Sequence, residues 1–317
     1  MKKQKKVLIT GGAGYVGTSL IPQLLEEGYD VTIFDRLLWG GDVLIPFTVS
    51  KNFKFIRGDV RDKAALGKAV KNADVIIHLA AIVGFPACDM NPKLADETNV
   101  GGAKNLAAVV SKSQHVIYAS SGSNYGRVLD EICTEETPLR PISRYSRNKT
   151  AAELVLMDKT TCTALRPGTA FGVSPRLRLD LLPHQLTMSA LKDKKMVLYE
   201  ADAIRPFIHV RDFGRAMIHT VETPKMKNQV YNLGADSLNY TKKQIAETIA
   251  KETGAKIEES NAWEDPDKRT YDVSYKKLAS TGFRPTITMR EGILEIIRVL
   301  PVTHFPQPYS DAIEIPN

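Results

Sequence analysis

At 317 residues the chain is long enough to bury one or two large cores. It is 43% hydrophobic and 25% charged, with no low-complexity tract and no internal repeat. No apolar run reaches the roughly 18 residues that a membrane helix needs, so a soluble globular protein with no membrane partner is expected. The net charge of +7 leans on four lysines within the first six residues, and no basic stripe interleaved with aromatics follows them. Nucleic acid is therefore not an expected partner.

Apolar runs of strand length alternate with amphipathic segments of helix length. "KKVLIT" (5–10), "YDVTIF" (29–34), "FKFI" (53–56), "DVIIHLA" (74–80), "HVIYAS" (115–120) and "CTALR" (162–166) predict buried strands. Helices are predicted between them at 15–27, 62–71, 91–112 and 143–158. Strand and helix in this repeating order predict an α/β fold with a doubly wound parallel sheet of the Rossmann type. Only 37–52 lacks a helix pattern, and it reads as an excursion at the sheet edge.

After Arg166-Pro167 the rhythm changes to a basic, proline-containing stretch, "GVSPRLRLDLLPHQL" (172–186). "RPFIHV" (205–210) and "NQVYNLG" (228–234) then predict strands around a helix at 212–222, followed by helices near 241–253 and 289–299. Residues 1–167 together with about 205–234 are expected to form a cofactor-binding domain. About 168–204 and 235–317 would form a smaller C-terminal α/β substrate-binding lobe. Three cysteines, Cys88, Cys133 and Cys162, are too few and too far apart for a disulfide framework or a zinc knuckle. The opening apolar run stops at Gly11-Gly12, too short for a secretory leader. A reduced, cytoplasmic protein without a metal centre is the expectation.

"VLITGGAGYVGTSLI" is a strand, a glycine turn and the start of a helix. Gly11, Gly14 and Gly17 are spaced GxxGxxG, with Tyr15 and Val16 inside the fingerprint, and Gly12, Gly14 and Gly17 also satisfy GxGxxG. Such a turn needs positive φ and lets a pyrophosphate approach the backbone, while the helix N-terminus offers free N–H groups to the anion. The next strand ends in an acid, Asp35 of "TIFDR". A carboxylate there accepts from the adenine ribose 2′-hydroxyl and repels a 2′-phosphate, which favours NAD over NADP. Arg36 beside it tempers that preference.

"TGGAGYVG", "GDVRD" (58–62), "HLAA" (78–81), "YASSGSNYG" (118–126), "YSRNK" (145–149), "LRPGTAFG" (165–172), "RPFIHVRD" (205–212) and "YNLG" (231–234) occur in one order along nearly the whole chain. In this the chain resembles the extended short-chain dehydrogenases/reductases, the NAD-dependent epimerase/dehydratase group acting on nucleotide sugars. The resemblance implies that Asp59 and Val60 flank the adenine, that Ala80, Ala81 and Val83 line the cofactor cleft, and that Asn99 supports the dinucleotide. It further implies Ser121 as the hydroxyl bonded to the reacting sugar oxygen, Tyr145 as acid/base and Lys149 as its partner. A homodimer through 91–112 and 143–158 is typical of the group.

Tyr145 and Lys149 are four residues apart on one predicted helix, so phenol and ammonium share a face. A free phenol titrates near 10, and bringing it to about 7 takes roughly 4 kcal/mol of preferential stabilisation of the phenolate. Lys149 supplies one positive charge and an oxidised nicotinamide another. Arginines suit a diphosphate because the guanidinium is a planar fork. Family position favours Arg205 and Arg269, with Arg176 and Arg178 as further cations. "KKMVLYE" (194–200) matches the strand that frames the nucleobase, making Tyr199 a stacking surface. His184 stands where relatives often carry an asparagine. Thr169 replaces another such asparagine, and Ser123 joins Ser121 near the sugar.

Dehydratases of this group place an Asp-Glu pair immediately after the active-site hydroxyl; here Gly122-Ser123 stand there. The implied activity is epimerisation of a nucleotide-diphosphate sugar such as a UDP-sugar, at C4, by transient oxidation with NAD. A 4-ketoreductase or dehydrogenase that releases its cofactor is the alternative, and a non-catalytic NAD-binding protein is a third reading of the same fold.

Overall fold

The computed structural model describes residues 5–262 and 270–303, the side chains of 129 and 130 excepted. A seven-stranded parallel sheet is built from β1 (Lys6–Thr10), β2 (Asp30–Asp35), β3 (Phe53–Arg57), β4 (Val75–His78), β5 (His115–Ala119), β6 (Cys162–Pro167) and β7 (Gln229–Leu233). Their spatial order is β7-β6-β5-β4-β1-β2-β3. The chain order reverses between β1 and β4, which opens a crevice at the carboxyl ends of those strands. Because helices cover both faces, strands such as Val7-Leu8-Ile9 are apolar on every residue rather than on alternate ones.

The helices are α1 (Tyr15–Glu26), α2 (Lys63–Val70), α3 (Gly102–Val109), α4 (Arg144–Lys159), α5 (Leu182–Asp193), α6 (Val210–Glu222), α7 (Lys242–Thr253) and α8 (Met289–Val299). One face of the sheet carries α1 and α6 on a core that includes Leu20, Leu24, Ile33, Phe213 and Met217. The other carries α2, α3 and α4 on Leu66, Ile76, Leu106, Val116 and Leu156. A capping box of Ser143 and Ser146 starts α4, so the helix bearing Tyr145 and Lys149 has a fixed origin.

The helix expected over 91–112 is broken. A short turn at Pro92–Ala95 leads into a π-helical stretch, Asp96–Gly101, before α3 begins. The wider turn aims Asn99 inward, and Gly102 lets α3 lie on Val60, whose Cγ2 would be 2.7 Å from an added Cβ.

The strand expected over 205–210 forms at Ile204–His209 but does not join the main sheet. It lies between Thr169–Phe171 and Asn239–Thr241 in a separate three-stranded sheet, while β7 takes the edge beside β6. At Gly168 the chain leaves β6 and continues into the parallel partner, Thr169–Phe171; a Cβ there would be 2.7 Å from the Phe207 nitrogen. Around Phe171, Phe207, Ile245 and Ile293 the helices α5, α7 and α8 build a second core. Two strand pairs were not expected: Arg127–Cys133 runs parallel to Thr270–Val273, and Lys195–Leu198 to Lys256–Glu259. No helix among the described residues is long and apolar enough to cross a membrane. Arg269 lies outside the described residues.

Candidate active site

A cavity of about 320 Å³ lies over the crevice, lined at one end by Asp35, Asp59 and Val60 and at the other by Ser121, Tyr145 and Lys149. Between them lie Gly11, Gly14, Tyr15, Val16, Gly17, Arg36, Ala80, Ala81 and Val83. Gly11 has φ +73°, and a Cβ there would sit 2.5 Å from the Ala80 nitrogen. The glycine turn and the β4 end thus close on each other, and only small residues fit. A Cβ on Gly17 would be 2.4 Å from the Gly12 carbonyl oxygen, which explains the third glycine by helix packing.

Asp35 accepts from the Ala13 N–H at 3.0 Å and from the Leu37 N–H at 2.7 Å, tying the glycine loop to the end of β2. Burial raises its carboxyl and those two bonds oppose the rise. A carboxylate has lone pairs for further donors, so a ribose hydroxyl can still be accepted. Burial also pushes the Asp59 carboxyl up, but bonds from the Arg61 side chain and backbone outweigh it and hold it below the usual range. Asp62 caps α2. Arg36 stands 3.6 Å from Asp59. Asn99 does not line the cavity; it accepts from the Ile82 N–H at 2.8 Å and donates to the Ile82 carbonyl at 3.0 Å, bracing the loop after β4 from behind.

Ser121 lies just past β5, its Oγ 2.7 Å from Ser123 Oγ, and both hydroxyls line the cavity. Lys149 is only 4% exposed, with Nζ 4.6 Å from the Tyr118 ring centroid. Burial pulls its pKa down to about 7 against the opposing influence of Cys88 and Glu153. Between about 7 and 10.5 the folded chain then binds fewer protons at this site than the unfolded chain, so this site makes stability rise with pH across that window and penalises folding below it. Lys149→Met is expected to melt higher than the parent at pH 6, with the gap closing toward pH 10. A gap that does not change with pH in thermal melts would contradict this.

Beneath the serines lies a buried polar network absent from the sequence reading. Glu153, one turn beyond Lys149 and 2% exposed, accepts from Ser120 Oγ at 2.5 Å and from Arg166 Nε and Nη2 at 3.1 and 2.6 Å. Arg166 also donates to the Tyr125 hydroxyl at 3.0 Å, and that hydroxyl donates to Asn232 Oδ1 at 2.6 Å. Helix α4, the ends of β5 and β6, and β7 are joined under the reacting residues. The signal was visible as Tyr145, Lys149 and Glu153 at intervals of four, and as an arginine inside an otherwise apolar strand.

Of the residues expected at the substrate, Thr169, Arg176 and Arg178 line the cavity; Trp39 and Tyr271, which the sequence did not single out, line it too. Arg178 pairs with Asp180 through Nε at 3.0 Å and Nη2 at 2.5 Å. His184 sits in the first turn of α5 and does not line the cavity. Its Nε2 accepts from the Gly172 N–H at 3.0 Å and its Nδ1 bonds the Arg178 carbonyl, so both ring nitrogens brace the loop. Burial pushes its pKa down to about 4. Tyr199 and Arg205 also lie outside the cavity lining. The Tyr199 carbonyl accepts from Lys242 Nζ at 3.1 Å, and Arg205, buried, donates to the Ile204 carbonyl at 3.2 Å.

The sequence pattern of the NAD-dependent epimerase/dehydratase family matches residues 7–234. Over 96% of this chain and 99% of its own length, a UDP-glucose 4-epimerase of Lactobacillus helveticus is 28% identical. A dTDP-glucose 4,6-dehydratase of Streptomyces niveus is 26% identical over 92% of this chain and 91% of its own. Among solved structures, a Thermus thermophilus UDP-glucose 4-epimerase in complex with NAD superimposes with a TM-score of 0.79 at 26% identity, covering 92% of this chain and 98% of that one. The glycine turn closed on Ala80, the acid at the end of β2 and the Tyr145–Lys149 pair fit an NAD cofactor, and the chain belongs to the NAD-dependent epimerase/dehydratase family.

Proposed function

We propose that the chain is a nucleotide-sugar epimerase that inverts C4 of a UDP-hexose. The observation that carries this reading over dehydration is Gly122. A Cβ there would be 3.0 Å from the Pro167 carbonyl oxygen and 3.3 Å from the Tyr271 hydroxyl. The place after Ser121 is thus crowded by a neighbouring phenol and a backbone carbonyl, and it carries no side chain to act as the acid that drives elimination. Ser123 beside it is a neutral hydroxyl.

Gly11, Gly14, Asp35 and the walls at Ala80 and Ala81 would hold NAD, with Lys149 at its nicotinamide end. The chemistry that bound NAD supplies is reversible hydride transfer at the carbinol carbon. Tyr145 takes the C4 hydroxyl proton as that carbon is oxidised and returns it to the same oxygen on reduction. Ser121 donates to the developing oxyanion, and the Lys149 ammonium favours the phenolate. The Glu153–Arg166 network keeps Ser121 and Tyr145 in register. The UDP-glucose 4-epimerases among the relatives support UDP-sugars as the first substrates to offer.

The test is product analysis by NMR after incubation with UDP-glucose, UDP-N-acetylglucosamine and UDP-glucuronate. A C4-inverted product is expected from at least one of them; a 4-keto-6-deoxy product would contradict the reading. The proposal includes a cytoplasmic homodimer through the outer faces of α3 and α4, where Leu154 is 60% exposed. A monomeric mass at micromolar concentration would contradict the dimer.

A further inference from the structure

Trp39 follows Asp35 by four residues, in a turn with Leu37 at φ +62° and Gly40 at φ +84°, closed by the Gly40 N–H to the Leu37 carbonyl at 3.1 Å. A leucine in the left-handed region is uncommon and persists only where neighbours hold it. Here the Leu37 N–H is held by Asp35 Oδ1 at 2.7 Å. The carboxylate that marks the ribose position therefore also fixes the turn that presents Trp39.

From the other side comes Arg176, 2% exposed, on the loop that follows Thr169–Phe171. Its N–H donates to Thr18 Oγ1 at 3.2 Å, and that hydroxyl is 2.7 Å from Ser174 Oγ, which pins the loop to the first turn of α1. The Arg176 guanidinium lies 4.6 Å from the Trp39 ring centroid, and both side chains line the cavity together with Gly14 and Asp35. In a fold of this class the pyrophosphate sits at the start of α1 and the adenine ribose at the end of β2. The stack bridges those two points.

We propose that Trp39 and Arg176 form a clasp over the adenosine diphosphate half of NAD and slow its departure. Arg176 is thereby a cofactor residue rather than a substrate one. Its guanidinium brings positive charge to the pyrophosphate side, and the indole holds that guanidinium in place through the ring face. The clasp acts on cofactor retention and is independent of which sugar is turned over or which face receives the hydride.

The experiment loads the full chain with NAD and mixes it with excess alcohol dehydrogenase and ethanol, so that each NAD released is read by absorbance. Trp39→Ala is expected to release NAD about tenfold faster than the parent, and Trp39→Phe, which keeps a ring face, by less. Arg176→Ala is also expected to accelerate release, and the double variant W39A/R176A to be no faster than R176A alone, because the two act as one unit. Release from W39A at the parent rate overturns the clasp. So do effects of the two single variants that multiply in the double one. C4 inversion is read separately from product, so loss of the epimerase reading leaves this result standing.

Discussion

Tyr145→Phe is expected to bind NAD as the parent does and to lose turnover by about a hundredfold to ten-thousandfold. The substitution deletes one oxygen at the first turn of α4 and leaves the ring packed against the apolar cluster that includes Ile82, Ala87 and Cys88. Folding and cofactor affinity should change little, since the capping box around Tyr145 is made by Ser143 and Ser146 and does not use the phenol. The loss falls on kcat with KM nearly unchanged, because the phenol is required for the proton and not for holding the nucleotide. Turnover within a few-fold of the parent would remove the phenol from the chemistry.

Arg166→Met is expected to be the most destabilising single change near the site, by about 3–5 kcal/mol, because it leaves the Glu153 carboxylate buried without its partner. The pair is dry on both sides, at 6% and 2% side-chain exposure, so water cannot replace the guanidinium. Adding Glu153→Gln removes the charge, and the double variant should recover much of the loss in urea unfolding. If Arg166→Met costs less than about 1 kcal/mol, the network does not carry the positioning role given to it here. Activity should fall alongside stability, since Ser120 and Tyr125 flank the serine loop and both bond into this network.

Much of the fold was legible because parallel strands covered on both faces are largely apolar, and such runs stand out before residue 167. The run at 53–56, expected to be buried, is the exception, because β3 is the sheet edge and Lys54 to Arg57 are exposed. The alternation of strands with helices leaves few topologies, and the glycine turn with Asp35 marks where a dinucleotide lies. Tyr145 and Lys149 were legible because helix geometry alone places them together. Residues joined through tertiary pairing were not. Tyr271 reaches the cavity on a strand beside Arg127–Cys133, and nothing local in "RVLDEIC" announces that partner. Ile204–His209 reads as an apolar strand, but an apolar run does not state which sheet it joins. Glu153 and Arg166 resemble a helix-surface acid and a strand-end base until their burial is known. His184, Tyr199 and Arg205 were placed by position in relatives, and none of the three lines the cavity.

The central claim is that C4 is oxidised and reduced within one active site, with its hydrogen carried as hydride. It is tested most directly by offering UDP-hexose deuterated at C4 to the purified chain in ordinary water, with no added reductant, and following C4 by NMR. Inversion with the deuterium still on C4 is the predicted result. Inversion with deuterium lost to solvent, or a product deoxygenated at C6, would contradict it.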